Sequence, residues 1–139
     1  FMVAAAVILS TSLYYGFTNT QNQSLKKLEL MSGFLNERNW VESEKLGEEI
    51  IKMHPKNEAI LFNALWNLAM SEAKQGKYDE AVEHAQMLTE VDPANGHFLL
   101  GIIYNDAGNV EMSKKELEEA VKIDPRLRNK VESILNTIK

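Results

Sequence analysis

Cysteine is absent from this chain, proline occurs only three times, and basic residues are nowhere clustered into a stripe. The first absence excludes a disulfide framework, a thiolate metal site and a cysteine nucleophile. Few prolines and only seven glycines leave long runs free of helix breakers. A net charge of -5 argues against a nucleic-acid partner, because nothing basic is present to displace its counterions. Histidine is equally sparse. His54, His84 and His97 stand near expected helix ends in different units, with no His-x-x-x-His or Glu-x-x-His pair, so they read as surface or dipole partners. The acidic pairs Glu48-Glu49 and Glu118-Glu119 lie three or four residues from Lys45, Lys114 and Lys115. That is the pattern of a solvated helix face rather than a carboxylate dyad. The expectation is therefore no enzyme, with no catalytic, cofactor-binding or metal-binding residue.

Charge is also missing from the whole of residues 1–17. This stretch is apolar all round rather than on one face, and as a helix it spans about 25 Å against a hydrocarbon core of about 30 Å. Phe1, Val3, Val7, Ile8, Leu9, Leu13, Tyr14, Tyr15 and Phe17 form the expected anchor or assembly surface, with the two tyrosines placed for an interfacial belt. No basic flank precedes the run, which disfavours a signal peptide. The expectation is a hydrophobic, transmembrane-type helix at 1–17, followed by a polar juxtamembrane stretch to residue 23, with the soluble domain on the extracytoplasmic side. The chain starts at Phe1 without an initiator methionine, which fits a fragment boundary or a precursor cut at that point. Mature type IV pilins also begin with phenylalanine and an apolar helix, and this end is similar to theirs. Pilins usually carry glutamate at the fifth position, where this chain has Ala5.

From Leu25 onward the apolar period is helical. Helices are predicted from Leu25 to the Asn36–Asn39 break, then at 40–53, 57–75, 79–91, 94–107 and 111–123. Pro55 stops the second of these. Gly76 ends the third as a left-handed cap, and Asp79 is placed to cap the fourth. Asp124-Pro125 opens a last helix, in which Leu127, Val131, Ile134, Leu135 and Ile138 make one stripe. That stripe is expected to cover the end of the array, at roughly 1.5–3 kcal/mol per buried side chain before entropy is counted. Gly47 falls mid-helix, where it costs about 1 kcal/mol against alanine, and a close helix crossing is the expected reason.

A unit of glycine, helix, Asp-Pro recurs at about 34 residues, and this grammar resembles the tetratricopeptide repeat family. The clearest copy, about 94–127, carries Leu100-Gly101, Tyr104, Leu117, Ala120 and Pro125, with Ser113 for the family's first alanine. The copy at about 62–95 carries Leu65, Leu68, Ala69, Ala81 and Pro93, with Leu88 for the second alanine. A divergent copy at about 24–57 keeps Leu30, Phe34 and Pro55, but has Met31, Ser43 and Ile50 at the small positions. The resemblance implies an all-α superhelix of antiparallel hairpins at about 24–57, 58–93 and 94–125, plus a capping helix at 126–139. Pro55 and Pro93 are 38 residues apart and Pro93 and Pro125 are 32 apart, so an irregular stack with an overlong third helix is expected.

The same resemblance implies a partner groove along the first helix of each hairpin. Its residues here are Leu28, Leu35, Asn36, Trp66, Met70, Lys74, Phe98, Ile102 and Asn105. Only Asn36, Lys74 and Asn105 match positions at which some family members grip a chaperone carboxylate, and their neighbours are apolar. The expected occupant is therefore an apolar or amphipathic helix of another protein, or a copy of the chain itself. The resulting expectation is a membrane-anchored interaction scaffold. The alternative is a subunit of an extracellular, pilus-like filament with the apolar helices at its core.

Overall fold

The computed structural model describes residues 2–138, and the side chains of residues 13–138. Its elements are α1 (Met2–Asn36), α2 (Trp40–Lys52), α3 (Glu58–Lys74), α4 (Tyr78–Val91), α5 (Pro93–Asp106) and α6 (Val110–Ile123). A 3-10 turn (Pro125–Leu127) and α7 (Arg128–Leu135) follow. Each pair α1/α2, α3/α4 and α5/α6 is an antiparallel hairpin. Successive first helices also touch, α1 with α3 and α3 with α5, which puts them on the inner curve of the stack.

Three clusters make the core. Met31, Ile50, Ile60, Ala64 and Leu68 fill the first joint. Leu65, Ala69, Ala81, Ala85, Leu88, Leu99, Leu100 and Ile103 fill the second. Phe98, Leu117, Ala120, Leu127 and Val131 close the C-terminal end, where Ile134, Leu135 and Ile138 pack over them. The small residues set the helix approach. A Cβ on Gly47 would lie 2.8 Å from the Met31 Cε and 2.9 Å from the Leu68 Cβ; one on Gly101 would lie 2.5 Å from the Leu117 Cγ. The close crossing expected at Gly47 is present.

The turns inside the hairpins share one geometry. Gly76 and Gly108 both take left-handed backbone, with φ of 77° and 80°. Arg38 stands at the same place in the first hairpin and takes it too, at φ 57°, a conformation that costs a side-chain-bearing residue roughly 1–2 kcal/mol. Asn39 and Asn109 then cap α2 and α6, accepting from Glu42 N at 3.4 Å and Met112 N at 3.1 Å. Residue Lys77 fills that place before α4 and makes no capping bond, so Asp79 is a first-turn residue and not the cap expected of it.

Two further expectations need correction. The first is the transmembrane-type helix at 1–17. Residues 18–24 are polar but hold neither charge nor proline, so α1 runs unbroken for 35 residues into the first hairpin. Among the described residues no helix is long and apolar enough to cross a membrane, because the apolar run is short and the turns that continue it are polar. Phe1 lies outside the described residues, as do the side chains of Val3, Val7, Ile8 and Leu9. Leu13, Tyr14, Tyr15 and Phe17 are all exposed, on the part of α1 ahead of Ser24, the first buried residue among those whose side chains are described.

The second is the overlong repeat. Helix α3 has 17 residues against 14 in α5, so part of the surplus is the expected extra length. The rest lies in the connection. Pro93 is the first residue of α5, whereas Pro55 stands in a linker, residues 53–57, ahead of α3. Single residues, Asp92 and Asp124, make the later joints, each accepting a backbone N–H from the element it opens.

Candidate partner-binding groove

The inner face is built by α1, α3 and α5, and an aromatic ladder forms its centre. Phe62 and Trp66 stack at 6.0 Å between ring centroids, and Trp66 stacks on Phe98 at 6.3 Å, with interplanar angles of 20° and 21°. Phe62 and Trp66 are one helical turn apart on α3, and Phe98 reaches across from α5. Trp66 is half-buried and borders both the second and the C-terminal cluster.

The residues expected to line the groove do not share one environment. Phe98 is only 9% exposed and belongs to the C-terminal core, with half-buried Ile102 packed against the same cluster. Met70 is half-buried against the second cluster, and Leu28 against the first. Leu35 and Asn105 are half-buried, and Asn36 is exposed. Lys74 is engaged: its Nζ lies 3.3 Å from the Asp106 carboxylate, tying α3 to α5. Beside it the Tyr78 hydroxyl donates to the Asp106 carbonyl oxygen at 3.1 Å. Trp66 and Phe98, and Lys74 with the neighbouring Asp106, are thus brought together. Leu28 joins a separate cluster.

Polar residues missed in the sequence hold each hairpin from within. Glu72 is 2% exposed, at the repeat position where Tyr104 stands in the next hairpin, and its carboxylate meets His84 Nδ1 at 2.9 Å. In the following hairpin His97 Nδ1 meets Glu116 at 2.6 Å. His84 lies in the middle of α4, and both histidines bond across a hairpin rather than serving as surface or dipole groups. The hydrogen bond that His84 donates to the Glu72 carboxylate raises the His84 pKa above its ordinary value, against the opposing effect of burial. Glu44 is drawn the other way. Burial works to raise its pKa, but hydrogen bonds from Lys77 and Gln75 outweigh it and leave the carboxylate below its ordinary value. The seryl substitutions of the small positions are satisfied as well. Ser113 donates to the Gly101 carbonyl at 2.8 Å, and Ser43 and Ser71 share a hydrogen bond of 2.8 Å. In the repeat register His84 and Glu116 share one position, while their partners Glu72 and His97 align with Tyr104 and Leu65, so the sequence carried no repeated signal for the pairs. The acidic face also pairs differently from expectation: Glu49 with Lys27 of α1, Glu48 with Lys52, and Glu119 with Lys122.

Hairpins in series, small residues at the crossings and an inner face of first helices define an all-α array of antiparallel helix hairpins. The tetratricopeptide repeat family matches residues 63–95 and again residues 94–127, so those two units are repeats of that family. Neither match reaches α1 or α2. Among solved structures, the TPR domain of Arabidopsis FLU is similar at a TM-score of 0.68 and 18% identity, over 79% of this chain and 98% of that one. The C-terminal TPR-containing domain of a putative FK506-binding protein from Plasmodium falciparum also gives 0.68, at 20% identity, over 88% of this chain and 92% of that one. No curated protein matches the chain.

Proposed function

We propose that this chain is an interaction scaffold whose inner face receives an apolar or amphipathic helix of another protein. The Phe62–Trp66–Phe98 ladder carries the reading, because it sets two half-buried aromatic rings of α3 on the inner face, backed by the buried Phe98 ring of α5. Aromatic side chains at such a place supply large contact area at low entropic cost, which suits anchor residues of a helix-in-groove interface. The lysine that marks charged-tail recognition in this fold is occupied here by Asp106, so apolar contact and not carboxylate capture is the chemistry on offer.

A Trp40→Phe variant leaves Trp66 as the sole tryptophan. Its emission is followed while a synthetic amphipathic helix is added, with a peptide of identical composition and scrambled period as control. Saturable blue-shifted emission with the periodic peptide alone supports the groove. Equal responses to both peptides, or none, would show that the face is already filled by the protein's own side chains. Phe98→Ala is unsuitable for this purpose, since Phe98 is core.

A further inference from the structure

The N-terminal edge of the stack presents a second unpartnered face. Leu30, Leu68 and Leu100 occupy one repeat position on α1, α3 and α5. Leu68 is fully buried and Leu100 is 4% exposed, since the preceding antiparallel helices α2 and α4 cover them. Leu30 is 53% exposed, with no helix of this structure packed over it. Around it a shallow cavity of about 340 Å³ is lined by Lys26, Glu29, Leu30, Gly33, Phe34 and Glu37. A Cβ on Gly33 would meet nothing within 4 Å, so the stripe contains an open notch beside an exposed leucine.

We propose that this face pairs with the same face of a second copy, α1 against α1, antiparallel about a two-fold axis between Met31 and Ser32. The order of residues along the stripe argues for this occupant. In that register Leu30 of each copy lies opposite the Gly33 notch of the other, and Lys26 lies opposite Glu37. An isologous contact needs such self-complementarity, and opposite charges at both ends fix orientation and register. A parallel pair would instead set Lys26 on Lys26 and Glu37 on Glu37. The antiparallel partner also matches the direction of the helices that cover Leu68 and Leu100 within the chain. Such a pair sends its two N-terminal stretches out at opposite ends, so it excludes insertion of both into one bilayer.

The chain lacks cysteine, so Lys26→Cys and Glu37→Cys each introduce a single thiol on the exposed face. The two full-length variants are mixed and treated with a short bismaleimide, after circular dichroism has shown both folded. The mixture is expected to give a covalent dimer and neither variant alone to do so, since like positions lie about 16 Å apart along the axis at 1.5 Å per residue. Efficient cross-linking of Lys26→Cys to itself would overturn the register, and no product from the mixture would overturn the pairing. In sedimentation velocity, Lys26→Glu is expected to weaken the dimer at least about tenfold and Lys26→Glu with Glu37→Lys to restore it. Higher oligomers, or a dimer indifferent to both changes, would assign the face to another occupant.

Discussion

The first hairpin and the two that follow it occupy the same fold with different fidelity. In α3–α6, each turn has glycine at its left-handed residue, each joint is one aspartate, and each buried leucine has a helix over it. In α1–α2, Arg38 takes the glycine's conformation and five residues make the joint, while Leu30 faces outward. Family matches cover 63–127 and stop there, although the hairpin geometry does not. The lesson concerns neighbours. A repeat position is buried because of what the adjacent unit supplies, so the unit at an edge keeps the pattern while the constraint behind it is relaxed.

The largest expected difference between the regions is at the leucine position. Leu68→Ala opens the first joint and is expected to cost about 2–5 kcal/mol in urea unfolding, whereas Leu30→Ala, measured at a concentration low enough to keep the chain monomeric, should fall within about 0.5 kcal/mol of the parent. Equal losses under those conditions would show Leu30 to be covered within the single chain. The glycines give the next contrast. A Cβ on Gly96 would lie 2.5 Å from the backbone nitrogen of Thr89, which cannot rotate away, while Gly33 has open space. Gly96→Ala should destabilise by about 1–3 kcal/mol, and Gly33→Ala should stabilise the monomeric chain by up to about 1 kcal/mol.

Much of this architecture was legible from the apolar period and the breakers. The helices expected at 40–53 and 57–75 end within a residue of α2 and α3, because Pro55 and Gly76 act locally. The crossing at Gly47 was legible for the same reason: a mid-helix glycine is costly without a packing cause. What escaped depends on the neighbouring helix. Phe62 gave no local sign of stacking on Trp66, and Phe98 looked like a groove residue until α7 and the 3-10 turn were seen to help enclose it. Glu72 carries no local sign of burial, and only the partner helix supplies His84. The unbroken passage of α1 through residues 18–24 follows from their lack of charge and proline, since no residue there stops a helix.

That buried pair sets a smaller, pH-dependent effect. Glu72 holds the His84 pKa above its ordinary value, about 6.5. The stabilisation of the protonated pair is therefore complete below about pH 6.5 and is lost as pH rises through the raised folded-state value. His84→Ala is expected to cost about 1–3 kcal/mol at low pH, because it orphans a buried carboxylate, and less at high pH. A difference from the parent that does not change with pH would exclude the charged pair. Smallest is the turn. Arg38→Gly is expected to stabilise by about 1 kcal/mol, while Gly76→Ala should lose a similar amount. A loss on Arg38→Gly would mean that the arginine side chain makes a contact worth more than its backbone strain.

Native-state hydrogen exchange tests the central comparison most directly, at a concentration low enough to keep the chain monomeric. The account predicts that amides of α2 and of α1 from residue 21 onward exchange through a partial opening of lower free energy than those of α3–α6, with α3 and α5 slowest. Uniform exchange at the global unfolding free energy, or earlier opening of α5–α6 than of α1–α2, would contradict it.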